Sequence, residues 1–235
     1  MDIICPVRPG DRNEELRYAI RSWQTNLIHN TIWIVGHKPP WLTGVEHIPG
    51  NQRDNSHANV YWNILTACEH PGPSADVLIL NDDMFITEPV ANVDVLYRST
   101  LAEHLALPRV HRARNGWWAN SLRTTQLALH AHGIADPISY ELHTPLPAGK
   151  QAMAHTLRMM QHVTPDNPPQ WRSLYGNLHA IGGHQYDDCK MYGPGELKRP
   201  YHSTEDSSFG HYSHQLAALF PQPSRYEDTP CLSKP

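Results

Sequence analysis

The sequence predicts an α/β fold with a Rossmann-like, mixed but mostly parallel sheet flanked by helices, followed by a more helical, loop-rich second half. Two observations predict it. Strand-like and helix-like patterns alternate over the first ninety residues, which is typical of βαβ units with right-handed crossovers. The four apolar residues 77–80 stand between polar neighbours, as expected for a short strand buried on both faces of a parallel sheet. No G-x-G-x-x-G follows the first strand, which argues against a dinucleotide-dependent dehydrogenase.

Local patterns predict the individual elements of the first ninety residues. Residues 3–7 form a short β-type run, and Asn13 is expected to cap a helix that carries Glu14 and Glu15 in its first turn. The buried stripe of this helix is Leu16, Ala19, Ile20, Trp23 and Leu27. A β-branched and aromatic run over 31–35 predicts a second strand that Gly36 ends. A short strand at 45–48 and a helix at 55–68 follow before the strand at 77–80.

The second half is predicted to be less regular. Helices are expected near 121–132, 150–162 and 207–219, separated by proline-rich connections. Four arginines surround Trp117-Trp118 between residues 109 and 123, and we expect this segment to shape an acceptor pocket. From residue 221 onward the chain is expected to be irregular and partly mobile. The predicted organisation is one domain over 1–220, with a nucleotide-binding half (1–90), an acceptor and catalytic half (91–220) and a tail (221–235).

Composition narrows the class of protein. The chain has 235 residues, a net charge of −4 and a mean hydropathy of −0.54. That acidic balance gives no general attraction for nucleic acid or for acidic membranes. There is no apolar run long enough to span a bilayer and no basic leader, so we expect a cytoplasmic protein without membrane insertion. The four cysteines are scattered without a C-x-x-C pair, which argues against a disulfide scaffold or a zinc knuckle.

The triplet Asn81-Asp82-Asp83 directly follows the apolar run 77–80. Two adjacent carboxylates repel each other unless a cation or a hydrogen-bond donor neutralises their charge. The carboxyl edge of an open α/β sheet is also where ligands bind. Oxygen ligands of this kind suit Mg²⁺ or Mn²⁺ held together with substrate phosphates, so the triplet predicts a metal–diphosphate site. A polar turn after the strand is the alternative.

Four segments carry a resemblance to a known family. In order they are Asn13-Glu14-Glu15-Leu16-Arg17-Tyr18-Ala19-Ile20-Arg21-Ser22, Ile32-Trp33-Ile34-Val35-Gly36, Pro40-Trp41-Leu42 and Asn81-Asp82-Asp83-Met84-Phe85. The chain resembles the Stealth family of sugar-phosphate transferases and the GT-A glycosyltransferase-like proteins related to it. It is also similar to glycosyltransferases encoded by phages of actinobacteria. The resemblance is dense over 1–90 and continues in islands at 141–147 and 172–177, and it implies a GT-A-like fold.

The resemblance implies a metal site that binds the diphosphate of a nucleotide sugar. Asp83 is the first choice as ligand of Mn²⁺ or Mg²⁺, and Asp82 supports the ion or faces the donor's ribose or sugar. His143 is a candidate for metal, phosphate or acid–base work, with His184 as second choice.

The first βα loop, residues 6–12, is expected to cross the base and ribose of the donor. Arg8 can bind phosphate through two hydrogen bonds, and Asp11 can accept one from base or ribose. Arg12 and Arg17 are also assigned to the donor site. The alternatives are that Arg8 pairs with Glu14 or Asp11 and that the loop carboxylate caps a helix.

The pair Glu205-Asp206 precedes a plausible helix start. Many inverting GT-A enzymes carry a similar pair, so the resemblance makes Asp206 the candidate general base and Glu205 the second choice. The alternative is an acidic helix N-terminus that only favours the helix dipole. With a base at Asp206 a single displacement with inversion follows, and without one a retaining mechanism remains open.

The predicted function is metal-dependent transfer of a sugar from a nucleotide sugar to a protein or glycan. If the chain is phage-encoded, the expected acceptor is a virion protein and the expected location is the host cytoplasm. One alternative is a Stealth-type phosphosugar transferase that releases a nucleoside monophosphate. Another is a non-catalytic module that binds a nucleotide sugar or glycan. A nucleic-acid partner is not expected.

Overall fold

The structure is a computed structural model that describes residues 1–10, 12–50, 53, 55–163 and 165–228. The strands are β1 (Asp2–Val7), β2 (Ile32–Gly36), β3 (Glu46–Pro49), β4 (Asp76–Ile79), β5 (Met84–Ile86), β6 (Leu96–Tyr97), β7 (Ser99–Thr100), β8 (Ile138–Ser139), β9 (Leu146–Gly149), β10 (His184–Gln185) and β11 (Tyr201–Ser203). The helices are α1 (Glu14–Asn26), α2 (Ser56–Glu69), α3 (Leu101–Ala106), α4 (Pro108–Arg112), α5 (Trp117–Ala131), α6 (Lys150–Met160), α7 (Trp171–Leu178) and α8 (Asp206–Leu219).

A five-stranded sheet with the order β3-β2-β1-β4-β9 forms the centre of the molecule. The first four strands are parallel, with Ile4 opposite both Trp33 and Ile79, and β9 adds an antiparallel edge next to β4. The prediction of a mixed, mostly parallel sheet with flanking helices is therefore confirmed.

Helices cover both faces of the central strands, and because side chains alternate along each strand they enter two separate cores. In β1, Ile3 and Cys5 face the core built around α1 and α8, whereas Ile4 faces the core built around α2, α5, α6 and α7. Val77 and Leu78 divide between the two cores in the same way. This double burial explains why β4 is a continuous apolar run.

Short strands connect the end of β4 to the second half of the chain. Strand β5 pairs antiparallel with β11, with Met84 opposite Ser203. The backbone N–H of Thr204 donates to the carbonyl of Asp83 at 3.3 Å. This pairing brings the start of α8 to the carboxyl edge of the main sheet.

The helix starts differ from the prediction in two details, at α1 and at α5. Asn13 stands at the N-cap of α1 in the left-handed region (φ 40°), and its side chain makes no capping hydrogen bond, so that part of the prediction is wrong. Asn55 does cap α2, where its side chain accepts from the backbone of His57 and Ala58. Helix α5 begins at Trp117, four residues before the predicted start, because Gly116 serves as its N-cap.

The final described residues, 221–228, are irregular in backbone and pack against α1. The expected partial mobility of the tail stays a prediction, and 229–235 lie outside the described residues. Ser224 and Glu227 are buried, and the carboxylate of Glu227 accepts hydrogen bonds from Arg17 and Arg21 at 2.7 Å each. The charge pattern of a tail does not reveal that its carboxylate neutralises two arginines far away in sequence. Of the helices in the described part of the chain, none is both long and apolar enough to cross a membrane.

Candidate active site

A cleft of about 380 Å³ opens at the carboxyl edge of the sheet. The loop after β1, the first turn of α1, the turn after β4 and the start of α8 all contribute to its wall. Its lining residues are Arg8, Pro9, Gly10, Asn13, Glu14, Glu15, Leu16, Asp82, Asp206 and Phe209. Three predicted site residues, Arg8, Asp82 and Asp206, therefore meet in one place.

Arg8 and Asp206 form an ion pair across the cleft. Both side chains are more than half exposed, and this hydrogen bond raises the pKa of the Arg8 guanidinium. Among the described residues the partner is therefore not Glu14, one of the two pairings considered from the sequence. Asp11 itself lies outside the described residues. The exposed pair can separate without a large penalty, so both groups are available to a ligand.

Asp82 is half-buried between charged neighbours. Burial, followed by the negative charges of Asp83 and Glu15, raises its pKa well above the usual range for an aspartate, against an opposing effect of Arg8. A carboxyl group whose pKa moves towards neutrality can exchange protons with a ligand under physiological conditions.

Glu15 is a member of this cluster that sequence reasoning missed. Its carboxylate accepts a hydrogen bond from Thr204 Oγ1 at 2.6 Å. Burial raises the pKa of Glu15, and the charges of Asp83 and Asp206 raise it further, although the bond from Thr204 opposes them. In the first turn of α1, Glu15 interacts favourably with the helix dipole. That position explains the residue as part of a helix start, so the sequence did not indicate its place in the cleft.

Asp83 lies deeper and pairs with Lys190, another residue that sequence reasoning missed. Lys190 Nζ donates to Asp83 Oδ2 at 2.6 Å, and the two side chains are only 11% and 16% exposed. Asp83 Oδ1 and Asn81 Oδ1 are buried and have no hydrogen-bond partner among the described residues. Each would gain from a donor or cation supplied by a ligand.

His143 is held by Asp188, a third residue the sequence did not single out. The ring Nδ1 and the backbone N–H of His143 lie 2.9 Å and 3.1 Å from the same oxygen, Asp188 Oδ1. Arg98 pairs with the other oxygen at 2.6 Å. Burial raises the pKa of Asp188, but the hydrogen bond and charge of His143 and the charge of Arg98 outweigh this effect and lower it strongly. His143 is not among the residues that line the cleft, and His184 is exposed in β10.

These contacts leave the predicted divalent ion without the full set of ligands that the sequence assigned to it. Asp83, the first-choice ligand, already shares one carboxylate oxygen with an ammonium group, and His143 is engaged by Asp188. Within the described ranges, no three His, Cys, Asp or Glu side chains stand close enough together to hold an ion. The expectation of Mn²⁺ or Mg²⁺ stays a prediction.

The remaining predicted donor-site arginines make other contacts. Arg17 Nη1 pairs with Glu227 at 2.7 Å, and its guanidinium stacks on Trp41 at 4.2 Å from the ring centre. The carbonyl of Arg12 accepts a hydrogen bond from the Trp41 indole at 2.8 Å. The described contacts of Arg12 and Arg17 thus stabilise the wall behind the cleft.

Glu205 and the Trp117 segment do not line the cleft. Glu205 is the N-cap of α8 and accepts from Ser207 Oγ at 2.7 Å, in agreement with the alternative of a helix start. Trp117 stacks on His57 of α2, and no residue of 109–123 lines the cleft. The arginine-rich segment therefore lies outside this cleft, and its expected role in an acceptor pocket stays a prediction.

Comparison with solved structures identifies the architecture. The chain is similar to the galactosyltransferase LgtC in complex with donor and acceptor sugar analogs, with a TM-score of 0.59, 11% identity and coverage of 97% of this chain and 98% of that one. Mouse xyloside xylosyltransferase 1 is similar over the whole of both chains, with a TM-score of 0.39 and 9% identity. The glycosyltransferase GlyE of Streptococcus pneumoniae TIGR4 covers 94% of this chain and 49% of its own, with a TM-score of 0.38 and 12% identity.

Of these three likenesses, the first alone supports a comparison of folds. Together with the mostly parallel sheet and its flanking helices, it shows that the chain has a GT-A-like fold. No protein-family model matches the chain, and no curated protein matches its sequence.

Proposed function

We propose that this chain is a glycosyltransferase that moves a sugar from a nucleotide-sugar donor to a protein or glycan acceptor. One observation carries the proposal: Arg8, Asp82 and Asp206 meet in a cleft at the carboxyl edge of a GT-A-like sheet. Ligands of open α/β sheets bind at this edge.

Arg8 is the proposed donor-phosphate ligand. Its guanidinium is more than half exposed and pairs with one carboxylate among the described residues, that of Asp206. A donor phosphate can bind the guanidinium through two parallel hydrogen bonds and displace that partner. Donor binding would thus release the carboxylate of Asp206.

Asp206 is the proposed general base. Once free of Arg8, its carboxylate can take the proton of an acceptor hydroxyl as the hydroxyl oxygen bonds to the donor's anomeric carbon. The bond from that carbon to the diphosphate breaks, and the nucleoside diphosphate leaves with the electron pair. A single displacement of this kind inverts the anomeric configuration.

The two halves of the chain would then have the separate roles expected from the sequence, donor binding and acceptor activation. The half over 1–90 contributes Arg8 and Asp82 to the donor, and the half over 91–220 contributes Asp206 to the acceptor. In this proposal Asp82 faces the ribose or sugar of the donor, where its raised pKa lets it donate as well as accept a hydrogen bond.

Incubation of the purified protein with a panel of nucleotide sugars and candidate acceptors tests the proposal. The released nucleotide is identified, and donor binding is measured separately by titration calorimetry. Parallel reactions with Mn²⁺ or with EDTA test the predicted ion. We expect release of a nucleoside diphosphate, reduced about 100-fold or more by Asp206→Asn with donor binding retained. Asp136→Asn, at an exposed position in the turn before β8, is the matched control and should leave turnover unchanged.

Other outcomes of this experiment would indicate a different function. Release of a nucleoside monophosphate would mean that the acceptor attacks phosphorus, as in a phosphosugar transferase. Donor binding without turnover under any condition would indicate a binding module. Absence of both binding and turnover would refute the proposal.

A further inference from the structure

We propose that the ammonium group of Lys190 supplies the positive charge that a divalent ion was expected to supply beside Asp83, so that transfer proceeds without a metal ion. This inference rests on the proposed function for its substrate. Its structural basis is the contact between Lys190 and Asp83, which is independent of the substrate.

The backbone around Lys190 is anchored beside the end of β4. Residues 189–191 run along β11, with Met191 N–H donating to the carbonyl of Ser203 at 2.8 Å and Ser203 N–H donating to the carbonyl of Cys189 at 3.1 Å. Strand β11 in turn pairs with β5, which directly follows the acidic triplet. Two layers of backbone pairing therefore place the lysine beside Asp83, so the contact does not depend on a mobile side chain alone.

The three N–H groups of the ammonium each face an oxygen. Lys190 Nζ donates to Asp83 Oδ2 and to the backbone carbonyl of Thr204, and its third contact, with Ser203 Oγ, is long at 3.4 Å. An ammonium has three donors and no acceptor, so it can exchange its weakest partner for a better one. A donor phosphate oxygen is such a partner, because a hydrogen bond between two charged groups is stronger than one to a hydroxyl.

The location of this charge makes a second cation unfavourable. A divalent ion on Asp83 would lie within a few ångströms of the ammonium, where two positive charges repel by several kcal/mol at the dielectric of a protein surface. Lys190 would have to leave two short contacts to make room. The lysine thus takes the place of the ion on the residue that was predicted to bind it.

In this proposal, side chains of the protein stabilise the charge that develops in the transfer step, without a metal ion. The leaving diphosphate gains negative charge as its bond to the anomeric carbon breaks. Arg8, which lines the cleft, and Lys190, which lies beside Asp83, would provide the positive charge that stabilises it. The acceptor proton goes to Asp206 in the same step. Fixed charges aimed at the developing negative charge are the usual source of such stabilisation.

Metal dependence and a charge-removing variant test the proposal together. Wild-type turnover and nucleoside diphosphate binding are measured in EDTA and in Mn²⁺, and Mn²⁺ binding is followed by the loss of the free-ion signal in electron paramagnetic resonance. We expect equal turnover in both media and no stoichiometric Mn²⁺ binding. Lys190→Gln keeps an N–H donor but removes the charge, and should lower turnover about 100-fold. Lys198→Gln, at an exposed lysine that pairs with Glu196, should match wild type.

When wild type turns over, three results would overturn the proposal: turnover that needs Mn²⁺, stoichiometric Mn²⁺ binding by wild type, or a folded Lys190→Gln variant with wild-type turnover. The comparison of EDTA with Mn²⁺ uses only wild type, so it decides the matter even if Lys190→Gln does not fold. If wild type binds no nucleotide and shows no turnover, the proposed function is refuted. The role of Lys190 is then tested by Mn²⁺ titration alone. In that case, binding of Mn²⁺ to Lys190→Gln but not to wild type would support the lysine as the replacement for an ion. Binding of Mn²⁺ to wild type, or to neither protein, would refute the proposal.

Discussion

Glu227→Gln tests how strongly the last described residues hold α1 in place. The Glu227 side chain is only 2% exposed and accepts hydrogen bonds from Arg17, from Arg21 and from the backbone N–H and hydroxyl of Ser224. The variant keeps the shape of the side chain but leaves both arginines without their counter-charge. A buried ion pair that loses one partner is strongly destabilised.

The magnitude follows from the proton affinity of the carboxylate. Burial raises the pKa of Glu227, but the bonds from Arg21, Ser224 and Arg17 outweigh it and lower the pKa from 4.5 to about 2. Each pKa unit corresponds to about 1.4 kcal/mol, so ionised Glu227 contributes about 3 kcal/mol to the free energy of unfolding. For a chain of this length that corresponds to a melting temperature lower by roughly 6 to 12 °C in the variant.

Urea denaturation of wild type and variant near neutral pH measures this difference. Because the folded-state pKa is depressed, the stabilisation is fully present above pH 4.5 and is lost as the pH falls through about 2. The gap between the two proteins should therefore close over that range. Glu69→Gln is the control, since its partner Arg158 is 65% exposed and such a surface pair contributes less than about 1 kcal/mol. Equal losses in the two variants would refute the reasoning.

Three further measurements test other parts of the fold. Burial lowers the pKa of three histidines to about 4, and they are His57, His104 and His202. Because these folded-state values lie below 6.5, stability should fall as the pH drops from 6.5 towards 4, by up to about 2 kcal/mol per histidine at pH 5; equal urea midpoints at about pH 7 and pH 5 would contradict this. Gly176→Ala should lower the melting temperature, because its new Cβ would collide with the buried ring of Tyr140 and cost about 1 to 3 kcal/mol; an unchanged melting temperature would show that the ring can move. Tyr61→Phe should cost about 1 kcal/mol in urea denaturation by removing a buried hydrogen bond of 2.6 Å to the carbonyl of Leu157, and no loss would mean that this bond has no net value.

Much of the sheet could be predicted from sequence because its signals are local. The apolar run of β4, the β-branched run of β2 and the periodic stripe of α1 each lie within one short window of the sequence. The start of α5 was missed because Gly116 and the surrounding arginines are equally common in loops.

The site could be predicted only in part, because its contacts join distant residues. Arg8, Asp82 and Asp206 were singled out, yet the pairing of Arg8 with Asp206 spans 198 positions. Lys190 carries no motif of its own, and its role depends on contact with Asp83, 107 positions earlier. Such pairings depend on how β11 and α8 pack onto the sheet, which no local pattern encodes.

The contact between Glu227 and α1 also bears on how the chain is made. Synthesis proceeds from the N-terminus, so α1 leaves the ribosome long before the carboxylate that neutralises Arg17 and Arg21 has been translated. Until then, among the described residues, Arg17 has only Glu14 of the same helix as a carboxylate partner, at 3.5 Å. Arg21 lacks the carboxylate of Glu227, so the nascent first half cannot reach its final stability alone. A fragment that stops before Glu227 should inherit this defect, whereas a circular permutant that begins shortly before Glu227 would make the carboxylate first and relieve it.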